Sequence, residues 1–135
     1  MFEYHGWATL RTDILDEYGD EDEDALQSIL SELRQYITTL SINGAIHIEQ
    51  RNMLYALSIF GLNNHRQQPV IDLFGWLAQN ARGSYGLLYI QDNEDFNRGS
   101  DYTNQFRVWR LALGQLEELD DQFLSPYIPT VELPS

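Results

Sequence analysis

The spacing of apolar residues along this 135-residue chain switches between two periods, and this switching limits the folds that the chain can adopt. Residues 2–11 place apolar side chains at every second position, which is the period of a half-buried strand. After an acidic stretch, Asp24 and Gln27 could form a capping box at the start of a helix. The apolar residues that follow recur at helical spacing, at Leu26, Ile29, Leu30, Leu33, Ile37 and Leu40. The pattern therefore predicts a fold that mixes strands and helices.

The later segments continue this alternation. Residues 45–51 and 53–60 predict two strands joined in a hairpin, and a proline-led helix follows over residues 69–81. Two further strands are predicted over residues 85–90 and 105–113. The resulting order, β-α-β-β-α-β-β, predicts an α+β fold in which an antiparallel-rich sheet carries both helices on one face, related to the split βαβ arrangement.

The chain contains no internal repeat and no Gly- or Ser-rich linker, so we expect a single domain over residues 1–135. Prolines and apolar residues in residues 125–131 predict an extended C-terminal tail laid along the body of that domain. The N-terminal residues do not resemble a secretory signal, and no apolar run is long enough to span a membrane. We therefore expect a cytoplasmic protein without a membrane partner, and the sequence leaves its oligomeric state undetermined.

The charge balance excludes several classes of function. The chain has 21 Asp and Glu residues against 8 basic residues, all of them Arg, which gives a formal net charge of −13. Nucleic acid is not expected as a direct partner, because binding it requires a basic patch. The absence of Cys and Lys excludes a disulfide scaffold, a thiolate nucleophile, a sulfur-based zinc site and a phosphate loop.

No motif for catalysis or for cofactor binding stands out. Ser84 lies in a Gly-Ser-Tyr-Gly stretch that lacks the spacing of a nucleophile elbow. His47 and Glu49 lie two residues apart on a predicted strand and could bind a metal together with His5, which leaves a metal-dependent enzyme as one alternative. A second alternative is a module that holds a small ligand between the sheet and the tail. The favoured hypothesis has no catalytic residue, no metal and no cofactor.

Several short stretches resemble those of a known family. They are Glu3-Tyr4-His5-Gly6-Trp7-Ala8, Asn64-His65-Arg66, Gly83-Ser84-Tyr85-Gly86-Leu87-Leu88-Tyr89, Val108-Trp109-Arg110-Leu111 and Leu124-Ser125-Pro126-Tyr127-Ile128-Pro129-Thr130. Together they resemble immunity protein family seven of the bacterial polymorphic toxin systems. The resemblance implies a small cytoplasmic antidote that binds the C-terminal domain of a secreted toxin and catalyses nothing. Because nucleases present basic clefts to phosphate, the acidity of the chain favours a nuclease as that toxin.

The acidic residues concentrate in three blocks, at residues 13–24, 92–101 and 117–121. Such blocks can direct a negative field at a basic partner and speed its association. The predicted electrostatic contacts are Asp20, Glu21, Asp22, Glu23, Asp92, Glu94, Asp95 and Asp101. Trp7, Trp109 and Tyr102 are candidate aromatic anchors, because Trp and Tyr supply much of the binding energy at interfaces. For Trp7 and Trp109, packing in the core is the favoured interpretation.

Overall fold

One six-stranded antiparallel sheet organises the structure, a computed structural model that describes residues 1–135. Its strands are β1 (Phe2–Leu10), β2 (Ala45–Arg51), β3 (Leu54–Asn63), β4 (Tyr85–Asp92), β5 (Phe106–Ala112) and β6 (Gln115–Asp120). The helices are α1 (Glu23–Thr39), α2 (Gln68–Asn80) and the short α3 (Tyr127–Thr130). The strands lie in the order β2-β3-β1-β4-β5-β6. The predicted α+β class is confirmed.

The first strand of the chain lies near the centre of the sheet. β1 pairs along its whole length with β3, and it pairs on its other side with β4. Its even-numbered residues face a common core, in which Phe2, Tyr4, Ala8 and Leu10 are buried. Its odd-numbered residues therefore point to the opposite face of the sheet.

Both long helices cover the face to which the even-numbered β1 residues point. The apolar stripe of α1 buries Leu26, Leu30 and Leu33 in the core, and α2 adds Phe74 and Leu77. Tyr36 and Trp76 stack between the two helices, with ring centroids 5.4 Å apart. The helical spacing in the sequence thus arises from burial against one side of the sheet. None of the helices is both long and apolar enough to cross a bilayer.

Three local features differ from the sequence-based expectations. Residues 115–120 form a sixth strand that the pattern did not indicate. The N-cap of α1 is Asp22, whose side chain accepts a hydrogen bond from the Ala25 backbone N–H at 3.1 Å, so Asp24 lies inside the helix and forms no capping box at its start. The C-terminal tail, which we define as residues 121–135, is not extended throughout, because α3 interrupts it.

Candidate protein-binding surface

The acids of the second block are largely engaged within the protein. Asp92 and Asp95 are only 4% and 6% exposed. Arg66 lies 3.6 Å from the Asp92 carboxylate, and Arg98 makes two hydrogen bonds of 2.8 Å to the carboxylate of Asp95. The charge of a buried carboxylate that is bonded to arginine is compensated within the protein, so it presents little charge to a partner. Asp92 and Asp95, although predicted as electrostatic contacts, therefore do not form part of an accessible acidic surface.

Acids of the third block bond to Arg98, which also bonds to the second block, and to Arg107. Glu118 accepts two hydrogen bonds of 2.7 Å from Arg98 and one of 2.9 Å from Arg107, and Arg107 also bonds Asp120. The hydrogen bonds from Arg98, aided by the one from Arg107, hold the pKa of the Glu118 carboxyl below its usual value despite burial. We call Arg66, Arg98, Arg107 and their four carboxylate partners the arginine network. It ties the loop between β4 and β5 to the edge strand β6.

Two of the predicted aromatic anchors, Tyr102 and Trp109, are half-buried and already packed within the protein. The guanidinium carbons of Arg107 and Arg98 lie 4.1 Å and 5.0 Å from the ring centroid of Tyr102, so this half-buried ring already interacts with two cations. Trp109 is half-buried and packs against the core on the helix side, as the core interpretation predicts. Neither side chain presents a free aromatic surface comparable with that of Trp7.

The remaining acids of the second block are exposed but bonded locally. Glu94 accepts a hydrogen bond from His65 at 2.9 Å, and that bond lowers the pKa of the Glu94 carboxyl. Asp101 accepts hydrogen bonds from the hydroxyl and the backbone N–H of Thr103, which lower the pKa of its carboxyl. Both residues therefore remain charged and accessible in the loop, and they stay candidate contacts.

The first block differs from the other two because most of it has no cationic partner. We call residues 16–24 the acidic segment; it contains seven carboxylates, and none of them forms an ion pair with an arginine. Glu21 fixes the segment by accepting a hydrogen bond from the Thr12 backbone N–H at 2.8 Å, and Asp22 caps α1. Asp20 and Glu23 are exposed. The uncompensated negative charge of the protein is therefore concentrated here.

Trp7 lies on the sheet face opposite the helices, which we call the open face. Its side chain is 47% exposed, so the expectation that it packs beneath a second layer is wrong. Both long helices lie on the other side of the sheet, and they leave Trp7 in contact with Tyr85 in an edge-to-face arrangement with ring centroids 6.2 Å apart. An aromatic pair of this kind on an antiparallel sheet face is unusual, because such faces are commonly polar where they meet water.

The proposed metal ligands share this face but do not form a site. His47 and Glu49 lie on the edge strand β2, whereas His5 lies two strands away on β1. His5 instead lies 2.9 Å from the Glu3 carboxylate on its own strand. No three His, Cys, Asp or Glu side chains anywhere in residues 1–135 are close enough together to hold a metal ion. The geometry gives no support to the metal-dependent alternative.

An apolar groove of about 790 Å³ crosses the open face between β3 and the C-terminal tail. Its floor includes His5 and Leu87, and its walls include Trp7, Phe60 and Tyr127. Hydrogen bonds fix the tail at the start of β5: the Phe106 N–H donates to the Ser125 hydroxyl at 2.8 Å, and the Tyr127 N–H donates to the Asn104 carbonyl, just before the strand, at 2.9 Å. The groove is wide open along one side, and few polar groups line it, which suits an apolar surface better than a small polar ligand.

Sequence reasoning missed three exposed apolar residues on this face. Phe60 and Leu62 on β3 are 52% and 65% exposed, and Tyr85 on β4 is 42% exposed. A signal for the first two was available, because β3 carries apolar residues at both parities: Leu57 and Ile59 enter the core while their neighbours point outward. A strand with two apolar faces indicates either a second covering layer or a binding surface.

An acidic α+β protein with an exposed aromatic sheet face has features of a protein-binding protein. A family model for immunity protein 7 matches residues 1–133, and the chain belongs to this family. Membership implies that it is an immunity protein directed against a toxin. No curated protein and no solved structure matches the chain significantly.

Proposed function

We propose that this immunity protein neutralises a nuclease toxin by forming a stoichiometric complex with the C-terminal toxin domain in the cytoplasm of the producing cell. A nuclease must present a basic cleft to the phosphates of its substrate. An acidic protein can occupy such a cleft or cover its entrance, and no chemical step by the inhibitor is then required. The family membership supports the role of inhibitor, and the charge of the chain supports a basic partner.

The observation that carries this proposal is the lack of cationic partners for the acidic segment. Six of the eight arginines form ion pairs within the chain, and the acids of the second and third blocks take most of them. The carboxylates of residues 16–24 remain without such pairing at the start of α1. They therefore form the surface at which a basic partner would meet the strongest negative potential.

The toxin class is tested by purifying the C-terminal toxin domain encoded next to this chain and assaying it on DNA and RNA. We expect nucleic-acid cleavage that stops at one equivalent of the immunity protein. A toxin domain that is neutralised at the same stoichiometry but cleaves neither nucleic acid would disprove the nuclease assignment. It would leave the inhibitory role intact.

Removing charge from the acidic segment is expected to slow association. A variant carrying Glu17→Gln, Asp20→Asn, Glu23→Gln and Asp24→Asn removes four exposed charges and spares Glu21 and Asp22, which bond the backbone. Long-range attraction mainly sets the association rate, so we expect about a tenfold lower rate constant at low salt and a weaker salt dependence. Stopped-flow mixing with the toxin domain measures both quantities.

A matched control removes the same number of charges elsewhere, through Glu32→Gln, Glu49→Gln, Asp72→Asn and Glu117→Gln. All four side chains are exposed and lie outside the acidic segment. We expect this variant to keep an association rate closer to that of the unmodified protein. Equal slowing by both variants would mean that only net charge matters and that the acidic segment has no special part in binding.

A further inference from the structure

The open face carries more exposed apolar surface than an antiparallel sheet face normally leaves in water. In the register of the sheet, Trp7 lies between Ser58 of β3 and Leu87 of β4. Phe60 is displaced along β3 by two residues from Ser58, and Tyr85 contacts Trp7 from β4. Trp7 and Phe60 thus both line the groove, and Tyr85 packs against Trp7 beside it. Exposed patches of this kind mark sites of interaction.

The C-terminal tail gives this surface a defined wall on one side. Phe106 lies on the open face of β5 but is only 7% exposed, because the tail packs over it and Tyr127 lies 5.9 Å from it between ring centroids. The carboxylate of Asp121 anchors the start of the tail through the N–H groups of Phe123 and Leu124. The groove is therefore bounded by fixed elements, which reduces the entropy lost on binding.

The acidic segment lies close along the chain to the C-terminal end of β1, the strand that carries Trp7. β1 pairs Thr9 with Tyr85, and two residues further on the Arg11 backbone N–H donates a hydrogen bond of 3.1 Å to the Ser84 hydroxyl. Thr12 then bonds Glu21, which lies within the acidic segment. The hydrogen bonds of Arg11 and Thr12 thus hold the acidic segment near the end of β1 at which Thr9 pairs with Tyr85.

The negative charge of the chain favours a basic partner over a second copy as the molecule that covers the open face. A second copy of the chain carries the same net charge of −13 and the same acidic segment, so its overall charge opposes association with the first. A basic partner would be attracted by that segment. Within the groove, Glu3 forms no ion pair with an arginine and contacts only the His5 ring, so it is available to a lysine or an arginine of the partner.

We infer that the open face is the docking surface for the toxin domain. An apolar side chain of the toxin fills the groove between Trp7 and Tyr127, and flanking lysine or arginine residues contact Glu3 and the acidic segment. The inference rests on the proposed inhibition of a toxin domain but not on the nuclease assignment. Central, desolvated aromatic contacts supply most of the binding energy, whereas the surrounding charges mainly set the rate of encounter.

The test compares two tryptophans on opposite sides of the sheet, through Trp7→Ala and Trp76→Ala. Trp76 is half-buried and stacks on Tyr36 between the helices, so it is an aromatic control on the helix side. Titration calorimetry with a catalytically inactive toxin domain measures the dissociation constant. We expect Trp7→Ala to weaken binding by about 30-fold or more and Trp76→Ala to change it by less than about threefold. Thermal unfolding of each variant confirms that it is folded, and Phe60→Ala provides a second variant on the open face.

The outcomes separate the docking surface from the inhibitory role. Failure of the unmodified protein to bind the toxin domain would refute the inhibitory role itself. Normal binding by both Trp7→Ala and Phe60→Ala, with the unmodified protein active, would overturn the docking surface alone. Loss of binding through Trp76→Ala only would assign binding to the helix side. A dimer in light scattering that Trp7→Ala converts to a monomer would show that a second copy occupies the face, which also overturns the inference.

Discussion

Replacing Glu118 with Gln is expected to lower the free energy of unfolding by about 2–3 kcal/mol at pH 7. The Glu118 carboxylate joins Arg98 and Arg107, whose side chains are 34% and 10% exposed. A neutral amide cannot accept both sets of charged hydrogen bonds, so the two guanidinium groups lose a shared partner. Urea denaturation at pH 7 measures the change. An unaltered midpoint would mean that the arginine network contributes nothing to stability.

The same substitution carries a prediction about pH. Because its arginine neighbours lower the pKa of Glu118 in the folded protein, the ionised carboxylate stabilises the fold fully above the usual Glu value of about 4.3. That stabilisation is lost as the pH falls through the lowered pKa of the folded state. The stability difference between the unmodified protein and the Gln variant should therefore shrink between pH 5 and more acidic conditions, in which both proteins carry a neutral side chain at position 118.

Glu117→Gln is the matched control for this experiment. Glu117 also bonds an arginine, Arg110, but the two side chains are 45% and 51% exposed and their atoms are 3.2 Å apart. Exposed ion pairs contribute little, so a change of no more than about 0.5–1 kcal/mol is expected. A loss as large as that of Glu118→Gln would attribute the effect to net charge instead of to the network.

Gly86→Ala is expected to destabilise the sheet by about 2–3 kcal/mol, whereas Gly75→Ala should stabilise the protein by about 0.5–1 kcal/mol. A methyl group at Gly86 would lie 1.9 Å from the Trp7 carbonyl oxygen and 2.7 Å from the Ala8 Cα, so β1 and β4 would have to separate. At Gly75, inside α2, a methyl group would meet no atom within 4 Å. Alanine there gains helix propensity without a steric cost.

Thermal and urea unfolding of the two glycine variants measure these opposite effects. The pair is informative because the chemical change is the same in both proteins. Tolerance of alanine at position 86 would contradict the close approach of β1 and β4 that sets the position of Trp7. A destabilised Gly75 variant would indicate that the outer side of α2 is packed against something.

The periodic segments were predictable because each one reflects burial on one side. The strand β1 and the helices α1 and α2 show this most clearly, since their apolar residues follow periods of two and 3.6. β6 was missed because Leu116 and Leu119 have opposite parity and because its acids resemble a solvated run. The available sequence signal was Gly114, in the turn before β6. In the structure, Leu113 and Gly114 have positive φ, at 52° and 71°, as in a tight hairpin.

The candidate surface was only partly predictable, since it depends on pairing between distant residues. The sequence locates the acids but does not indicate that Arg98 bonds Glu118, twenty residues away, while residues 16–24 remain without an arginine. The sequence identifies Trp7 as a candidate anchor, but its exposure depends on which side of the sheet the helices cover. Both outcomes are tertiary properties, and local spacing carries no information about them.

Because β1 lies between two strands that come later in the chain, the centre of the sheet forms late in synthesis. β1 leaves the ribosome before both of its neighbours, β3 and β4, and β4 ends at Asp92. The middle of the sheet therefore cannot assemble until the chain has been synthesised as far as Asp92. At translation rates of roughly 5–20 residues per second, a chain that is being synthesised spends several seconds without its native sheet. Only chains that have been synthesised beyond β4 can therefore carry the pair of Trp7 and Tyr85 on the open face.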